Sequence, residues 1–460
     1  MKIKPQIFRD YDIRGVYPTD LNEEVSYVIG RAFGSMVKRR MGKSIVVGRD
    51  NRKSSLFLTQ SYIKGLLSTG INVTHIGITA TPVIHFLTCG SAFDAGTEVT
   101  ASHNPEEFNG FRLDYAGAEP VYGADIKKLL NMIEKEDFDT GSGDYDEEDL
   151  TKKYIGFLIE KFKAKRKLKV VLDCGNGTAS ELAQQVFQGM GYEVVPLYCE
   201  YNSKFPHGIP DPENPLFLKS LEKQVLENKA DVGFGFDTDA DRFGVVDEKG
   251  VSYSTDEILM LVAADLLHRN PHEKIVYDVK GSGEIDNFIK SRHGIPVMTR
   301  TGHPYVFEEV KNGGSVGAEY SGHMFFADRY YGYDDGIYSA CRIAEIISNQ
   351  PKTLSELLKI VPRQFSTPEV KVPVRDEDKF RLVKSLSEKV KNDEDVENYI
   401  ELDGIRANIS PTAWFLIRAS NTTPNISVRL GGSSEREKAA LINKVEQLFK
   451  GFDIKINFDL

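Results

Sequence analysis

The 460-residue chain has few cysteines and no excess of basic residues. None of its four cysteines forms a Cys-x-x-Cys pair, so we expect buried free thiols in a reducing compartment. The formal net charge of −10 excludes a chain-wide basic surface of the kind that neutralises nucleic-acid phosphates, so no nucleic-acid partner is expected. A local cluster of arginines that binds a small phosphorylated ligand remains compatible with that charge.

Long apolar runs are also missing from the chain. The most apolar helical stretch, residues 258–267, contains Asp265 and is too short to span a bilayer. The first five residues lack the apolar core that is typical of a signal peptide. We therefore expect no membrane partner and a cytoplasmic location, whereas the oligomeric state is not readable from the sequence.

The length predicts three or four domains, since a single core does not grow to 460 residues. A strand, a polar glycine turn and a helix start recur at residues 44–55, 168–178 and 274–282, and an unusual polar loop follows each of them. This pattern predicts three similar mixed α/β domains whose loops carry function. From residue 367 onward, alternating strands and two amphipathic helices predict an antiparallel α+β domain.

Local signals refine this organisation. An amphipathic helix is predicted from Asn22 to about Arg39, and Ser54 or Ser55 can cap the helix after it. The acidic stretch 134–149, rich in Gly, Ser and Asp, is the best linker. The predicted domain boundaries are 1–150, 151–253, 254–366 and 367–460.

The first unusual loop, residues 100–105, reads Thr-Ala-Ser-His-Asn-Pro and follows a predicted strand. Its small residues let the chain turn tightly and expose the Ser102 hydroxyl, which can act as a nucleophile if nearby groups stabilise negative charge. Taken alone, the hexapeptide favours a plain turn, and only the loops further along the chain favour the nucleophile.

The second loop carries Asp237, Asp239 and Asp241 between two apolar, strand-like segments. Three carboxylates at alternate positions repel one another unless a hard cation neutralises them. A calcium EF-hand is excluded because its sixth position requires glycine and this chain has Arg242 there. The pattern therefore favours a Mg²⁺ site with an open position for a phosphate oxygen.

Two further loops carry clustered polar side chains. Glu319 and Ser321 can bind adjacent hydroxyl groups, and residues 418–424, Arg-Ala-Ser-Asn-Thr-Thr-Pro, combine a guanidinium, hydroxyls and an amide in a good phosphate cradle. Taken alone, the loop around Glu319 favours a plain glycine-flanked turn, and a Ser/Thr/Asn turn is the alternative for residues 418–424.

These four motifs, in this order, resemble those of the α-D-phosphohexomutases, in particular the phosphomannomutase/phosphoglucomutase branch. The resemblance covers essentially the whole chain. It implies three similar mixed α/β domains and an α+β C-terminal domain around a central cleft. It also implies a phosphohexomutase that interconverts hexose 1-phosphate and hexose 6-phosphate, of mannose or glucose, through a phosphoserine and a hexose 1,6-bisphosphate intermediate. Mg²⁺ is the implied cofactor and a hexose 1,6-bisphosphate the implied activator.

The resemblance assigns roles to particular residues. The implied catalytic residues are Ser102, His103, Arg14, Arg112, Arg242 and His303. The implied metal ligands are Ser102, as its phosphate, with Asp237, Asp239 and Asp241. The implied substrate-binding residues are Lys280, Glu319, Ser321, His323, Arg418, Ser420, Asn421, Thr422 and Arg429.

The chain departs from the family pattern at several positions. Thr238, Ala318 and Tyr320 stand where the family usually has Gly, Gly and Met. Arg112 stands where the branch commonly has a lysine, a candidate general base. A guanidinium is a poor proton acceptor, so either Arg112 is purely electrostatic or another group such as His303 takes the proton; Lys280 and His323 are lesser candidates.

Other functions remain open at this stage. A phosphoglucosamine mutase would use the same groups on another sugar. A phosphatase would use the same serine and metal but release inorganic phosphate. A non-catalytic phosphosugar-binding protein would keep the pocket without turnover. The preferred hexose cannot be read from the sequence.

Overall fold

The computed structural model of the protein describes residues 3–90, 92–363, 365–421, 423–452 and 454–458. The chain forms two compact units. One comprises Met1–Ser254 with Ser321–Leu357, and the other comprises Thr255–Tyr320 with Leu358–Leu460. The predicted third segment, 254–366, therefore contributes residues to both units.

The first unit contains a seven-stranded mixed sheet. In spatial order its strands are Ile13–Val16, Phe108–Tyr115, Ala95–Val99, Ser44–Arg49, Asn72–Ile78 and Tyr145–Glu147, with Glu119–Pro120 beside Phe108–Tyr115. Ser44–Arg49 runs parallel to both Ala95–Val99 and Asn72–Ile78. Because parallel strands end at the same edge of a sheet, the chain that follows Arg49 emerges beside the loop that carries Ser102.

Helices cover this sheet, and two of them cross closely. The helices are Glu23–Arg39, Lys53–Leu67, Thr81–Cys89 and Ala124–Glu134. The Asn22 side chain caps the first by accepting a hydrogen bond from the Val25 amide at 3.0 Å. A Cβ atom at Gly30 would lie 2.3 Å from the carbonyl oxygen of Tyr62, so only glycine permits this approach.

A second sheet in the same unit holds five strands. Their spatial order is Ser252–Tyr253, Phe243–Asp247, Val232–Phe236, Lys169–Asp173 and Glu193–Leu197. Phe243–Asp247 is antiparallel to Val232–Phe236, and the other central pairs are parallel. The remaining elements of this unit are Thr151–Lys161, Ala179–Gly189, Pro215–Asn228, Met324–Phe326, Gly336–Ser348 and Leu354–Leu357. The antiparallel hairpin presents the triple-aspartate loop at its tip.

The second unit combines parallel and antiparallel sheets. Lys274–Asp278 runs parallel to Ile295–Thr299 on one side and to Gly314–Ala318 on the other. Helices Thr255–Arg269, Glu284–Lys290 and His303–Lys311 accompany these strands. The C-terminal sheet is antiparallel and has the strands Phe365–Ser366, Val370–Pro373, Asn425–Gly432, Trp414–Ala419, Ile405–Asn408 and Asn398–Ile400, with helices Lys379–Lys391 and Glu435–Lys450. The predicted mixed α/β and α+β architecture is confirmed.

Three local predictions were wrong in detail. Neither Ser54 nor Ser55 is a cap, because both lie inside Lys53–Leu67, where the Ser55 hydroxyl donates to Asp50. The 134–149 stretch is not only a linker, since Tyr145–Glu147 pairs in parallel with the sheet. The four cysteines form no disulfide bond, but Cys89 and Cys199 are only partly buried. Among the described residues, no helix combines the length and the apolarity that crossing a membrane requires.

Candidate active site

The loop that carries Ser102 is a strained turn at the end of strand Ala95–Val99. Ser102 has a φ of 46°, a left-handed conformation that serine rarely adopts. The turn is held internally, since the Ser102 amide donates to the Thr100 hydroxyl at 2.9 Å and the Asn104 amide donates to the Ala101 carbonyl at 3.0 Å. Such strain persists only where surrounding contacts impose it, and it is common at functional sites.

Arg52 supplies most of those contacts, and its role was not predicted from the sequence. Its guanidinium donates to the carbonyl oxygens of Ser102 at 2.7 Å, Asn104 at 2.6 Å and Pro105 at 2.6 Å. Asp50 accepts from Arg52 Nε at 3.1 Å, and both side chains are fully buried. The only sequence signal is the polar run 49–52 directly after a buried strand.

Replacing Arg52 by lysine is expected to lower kcat by about 10- to 100-fold, because a small displacement of a reacting group costs about that much. An ammonium group cannot make the planar set of contacts that a guanidinium makes. Steady-state kinetics should show KM within about threefold of the wild-type value. The matched control is Arg342→Lys, which changes another buried arginine, paired with Asp328 at 2.8 Å. Equal losses of kcat in both variants would contradict a specific role for Arg52.

Arg14 also holds this loop. It donates to the Ala101 carbonyl at 3.1 Å and to the Asn104 side chain at 2.6 Å, while Asp12 lies 2.8 Å from its Nε. The structure thus places Arg14 against the backbone and Asn104 of the loop. Its predicted catalytic role remains a prediction.

The Ser102 hydroxyl has three polar neighbours. It donates to Asp237 Oδ2 at 3.0 Å, it accepts from Arg242 Nη2 at 3.2 Å, and it lies 3.1 Å from His103 Nδ1. Arg242 also contacts His103 directly and pairs with Asp237 at 3.0 Å. A nucleophile, a carboxylate and a guanidinium therefore meet at one atom, which suits transfer of a phosphoryl group.

The triple-aspartate loop lies next to this serine. Asp237, Asp239 and Asp241 are at most 3% exposed, and one oxygen from each lies within 4.8 Å of the others. Asp239 Oδ2 accepts from the Thr81 hydroxyl at 2.8 Å, whereas Oδ1 of Asp239 and Oδ1 of Asp241 are buried without a hydrogen-bond partner. Buried, unpartnered carboxylate oxygens are the ligands that Mg²⁺ prefers, so these residues fit the ion.

The pKa values of Asp237 and Asp241 are shifted in opposite directions. Burial, followed by the charge of Asp241, raises the pKa of Asp237 well above its usual range. Burial alone would also raise the pKa of Asp241, but His323 and Arg112 hold it well below that range. Since a ligand must be ionised to bind a cation, a bound metal would favour the ionised form of Asp237.

Arg112 lies on strand Phe108–Tyr115 and bridges Asp241 and Asp334. Burial alone would lower the pKa of Arg112, but the carboxylates of Asp334 and Asp241 raise it. The guanidinium therefore stays charged. Of the two alternatives that the sequence left open, we favour the electrostatic one.

Ser321 and His323 belong to the same unit. Arg242 and His323 form an isolated β-bridge, and the Ser321 hydroxyl lies 3.1 Å from His323 Nδ1. His323 Nε2 lies 3.4 Å from Asp241 Oδ2. The structure thus brings His323 beside the triple-aspartate loop.

Other predicted site residues lie in the second unit. Lys280 and Glu319 are buried, with 3.9 Å between Nζ and Oε1, and Lys280 also lies 3.6 Å from Glu369. His303 is buried at the start of helix His303–Lys311, where Gly302 has a φ of 132°. Lysine and glutamate in this arrangement can bind neighbouring sugar hydroxyls.

The predicted phosphate cradle also lies in the second unit. Arg418 Nε donates to Asp403 at 2.8 Å, and the Thr301 amide donates to the same carboxylate at 3.2 Å. Asp403 therefore orients Arg418, a contact the sequence analysis did not foresee. Ser420 Oγ lies 2.8 Å from Thr423 Oγ1, and Asn421 is partly exposed. Thr422 lies outside the described residues.

Arg429 is buried among partners of its own unit. It lies 3.2 Å from Asp256, contacts the Lys280 carbonyl and stacks 3.7 Å from the centre of the Tyr320 ring. These contacts tie strand Asn425–Gly432 to the Lys280 turn. The predicted role of Arg429 in binding substrate stays a prediction.

The sequence matches one protein family along most of its length. Sequence models of the phosphoglucomutase/phosphomannomutase family match residues 5–140 as α/β/α domain I, 152–250 as domain II, 254–365 as domain III and 369–448 as the C-terminal domain. Together these matches span most of the chain.

Individual relatives agree with the family models. The chain is 38% identical to the phosphomannomutase/phosphoglucomutase of Pseudomonas putida, covering 96% of this chain and 94% of the relative. It is 34% identical to a phosphoglucomutase of Neisseria meningitidis, covering 97% and 96%. A crystal structure of a phosphoglucomutase/phosphomannomutase family protein from Burkholderia thailandensis superposes with a TM-score of 0.92 at 34% identity, covering 100% of both chains. The chain therefore belongs to the phosphoglucomutase/phosphomannomutase family.

Proposed function

We propose that this protein interconverts hexose 1-phosphate and hexose 6-phosphate through a phosphoserine at Ser102. Family membership and the relatives make it a hexose phosphate mutase, an isomerase that acts as an intramolecular phosphotransferase. The route through Ser102 rests on one observation, namely that its hydroxyl lies within hydrogen-bond distance of both Asp237 and Arg242.

The proposed reaction has two transfers. In the first, the bond between phosphorus and Ser102 Oγ breaks while a free sugar hydroxyl bonds to the phosphorus, and the hydroxyl proton passes through a base to Ser102 Oγ. The resulting hexose 1,6-bisphosphate then turns around. In the second, Ser102 Oγ bonds to the other phosphorus while the bond from that phosphorus to the sugar oxygen breaks, and the serine proton passes through a base to the sugar oxygen. Arg242 stabilises the charge on the transferring group. His103, against the serine hydroxyl, orients it.

Asp237, Asp239 and Asp241 would hold Mg²⁺ together with a phosphate oxygen on Ser102. When bound, the ion would supply charge stabilisation for the transfer. The protein itself keeps the carboxylates in place, through the Thr81 hydroxyl on Asp239 and Arg112 on Asp241.

The remaining residues would bind the sugar phosphate. We propose that Lys280, Glu319, Ser321 and His323 bind sugar hydroxyls. The group that holds the non-reacting phosphate comprises Arg418, Ser420, Asn421, Thr422 and Arg429. Arg112 stays charged, so proton transfer falls to another group, and His303 is our first choice. A hexose 1,6-bisphosphate would serve as activator. The protein would act in the cytoplasm. Its four domains would end at residues 150, 253, 366 and 460.

A side-by-side assay of the 1-phosphates of mannose, glucose and glucosamine tests this function. Chromatography of the products should show the 6-phosphate of mannose, glucose or both. Inorganic phosphate as the main product would instead indicate a phosphatase. Binding without any product would indicate a phosphosugar-binding protein, and turnover of the glucosamine phosphate alone would indicate a phosphoglucosamine mutase.

A further inference from the structure

Arg112 is a bridge between two carboxylates. Its Nη1 donates to Asp241 Oδ2 at 2.6 Å, and its Nη2 donates to both oxygens of Asp334 at 2.8 and 2.9 Å. Only 11% of the Arg112 side chain and 2% of the Asp334 side chain are exposed. Nη1 of the guanidinium therefore binds Asp241, and Nη2 binds Asp334.

This arrangement divides the two oxygens of Asp241. Oδ2 accepts from Arg112 and lies 3.4 Å from His323 Nε2, whereas Oδ1 is buried without a hydrogen-bond partner, 3.9 Å from Arg242 Nε. A guanidinium favours a two-pronged pair with a single carboxylate, in which both oxygens are bound. Arg112 instead contacts both oxygens of Asp334 through Nη2 alone and one oxygen of Asp241 through Nη1, which leaves Oδ1 of Asp241 available for a cation.

Asp334 is itself held firmly. The next residue, Asp335, caps helix Gly336–Ser348 by accepting from the Tyr338 amide at 2.8 Å. The hydroxyl groups of Tyr154 and Tyr330 donate to Asp335 at 2.9 and 3.0 Å. Asp334 also forms a β-bridge with Phe325. Its carboxylate therefore has a fixed position from which to hold Arg112.

We propose that Asp334 is a positioning residue that keeps Arg112 off the metal-binding oxygen of Asp241. Without the Asp334 charge, Nη2 loses its ion pair with Asp334, and the guanidinium turns onto Asp241 Oδ1, where it competes with the divalent cation. The inference rests on the proposed metal site. It adds to that site Asp334, which lies 93 residues after Asp241 in the sequence.

Binding of Mn²⁺, measured by electron paramagnetic resonance without any sugar, tests this role. The wild-type protein should bind one ion per chain. Asp334→Asn should bind it about tenfold more weakly, within the range of coupling between neighbouring charges. The double variant Asp334→Asn/Arg112→Gln should return to within about threefold of Arg112→Gln alone, because the competing guanidinium is gone.

Two controls separate positioning from stability. Asp328→Asn removes another buried carboxylate that pairs with an arginine on the same segment, and it should leave Mn²⁺ affinity unchanged. Asp334→Glu keeps the charge and should bind Mn²⁺ within about threefold of wild type, which keeps the test valid if Asp334→Asn does not fold.

Four results would overturn the proposal. Asp334→Asn could bind Mn²⁺ as tightly as wild type, or the double variant could stay as weak as Asp334→Asn. Arg112→Gln could bind two ions, which would make Asp334 a metal ligand with Asp241 and His323, since these three residues also cluster. A wild-type protein that binds no Mn²⁺ would refute the proposed metal site as well.

Discussion

Replacing Ser102 by alanine is expected to lower kcat at least about 10⁴-fold, since removing a nucleophile from a covalent mechanism typically costs that much or more. The alanine variant keeps the surrounding Asp237 and Arg242. Binding of hexose 1-phosphate, measured by calorimetry, should therefore stay within about tenfold of wild type.

The matched control is Ser26→Ala. Ser26 is another buried serine of the first unit, and its hydroxyl donates to the Leu58 carbonyl at 2.6 Å. This variant should lose about 1 kcal/mol of folding free energy but keep its turnover. Full turnover in Ser102→Ala would rule out the phosphoserine route, and a loss of substrate binding equal to the loss of kcat would indicate a role in binding only.

Removing the divalent cation is expected to have the second largest effect. Chelation should lower turnover by about 10³-fold, because a cation at a transferring phosphoryl group contributes several kcal/mol. Added Mg²⁺ should restore it. Asp239→Asn should weaken Mg²⁺ binding by about 10- to 100-fold, since it replaces a charged ligand oxygen while the contact with Thr81 can persist.

Asp247→Asn is the control for the metal loop. Asp247 is buried on the same hairpin, but it accepts from the Val251 amide at 2.9 Å and the Tyr253 hydroxyl at 2.8 Å. Its loss should affect stability and leave Mg²⁺ affinity intact. Activity that survives chelation, or equal metal affinity in Asp239→Asn and wild type, would refute the metal site.

The parts of the site that are local in sequence could be predicted. Ser102 and the three aspartates each follow a strand whose apolar pattern is plain, so their emergence at a sheet edge was foreseeable. The order of strands and helices also predicted the antiparallel C-terminal domain, from Val370–Pro373 to Glu435–Lys450.

The residues that hold the site could not be predicted, because their contacts are remote in sequence. Arg52 reaches a carbonyl 50 residues away, and Arg112 reaches Asp334 across 222 residues. Contacts between residues so far apart in the chain produce no local motif that a single sequence can reveal. The strand Tyr145–Glu147 was missed for a similar reason, since its acidic sequence becomes a strand only by pairing with residues 73–75.

Intact mass spectrometry with peptide mapping, after incubation with glucose 1,6-bisphosphate, tests the central claim most directly. The account predicts one added phosphoryl group per chain, located on Ser102, still present after turnover of added hexose 1-phosphate and absent from Ser102→Ala. A wild-type chain that never carries phosphate while turning over substrate, or that carries it on another residue, would contradict the account.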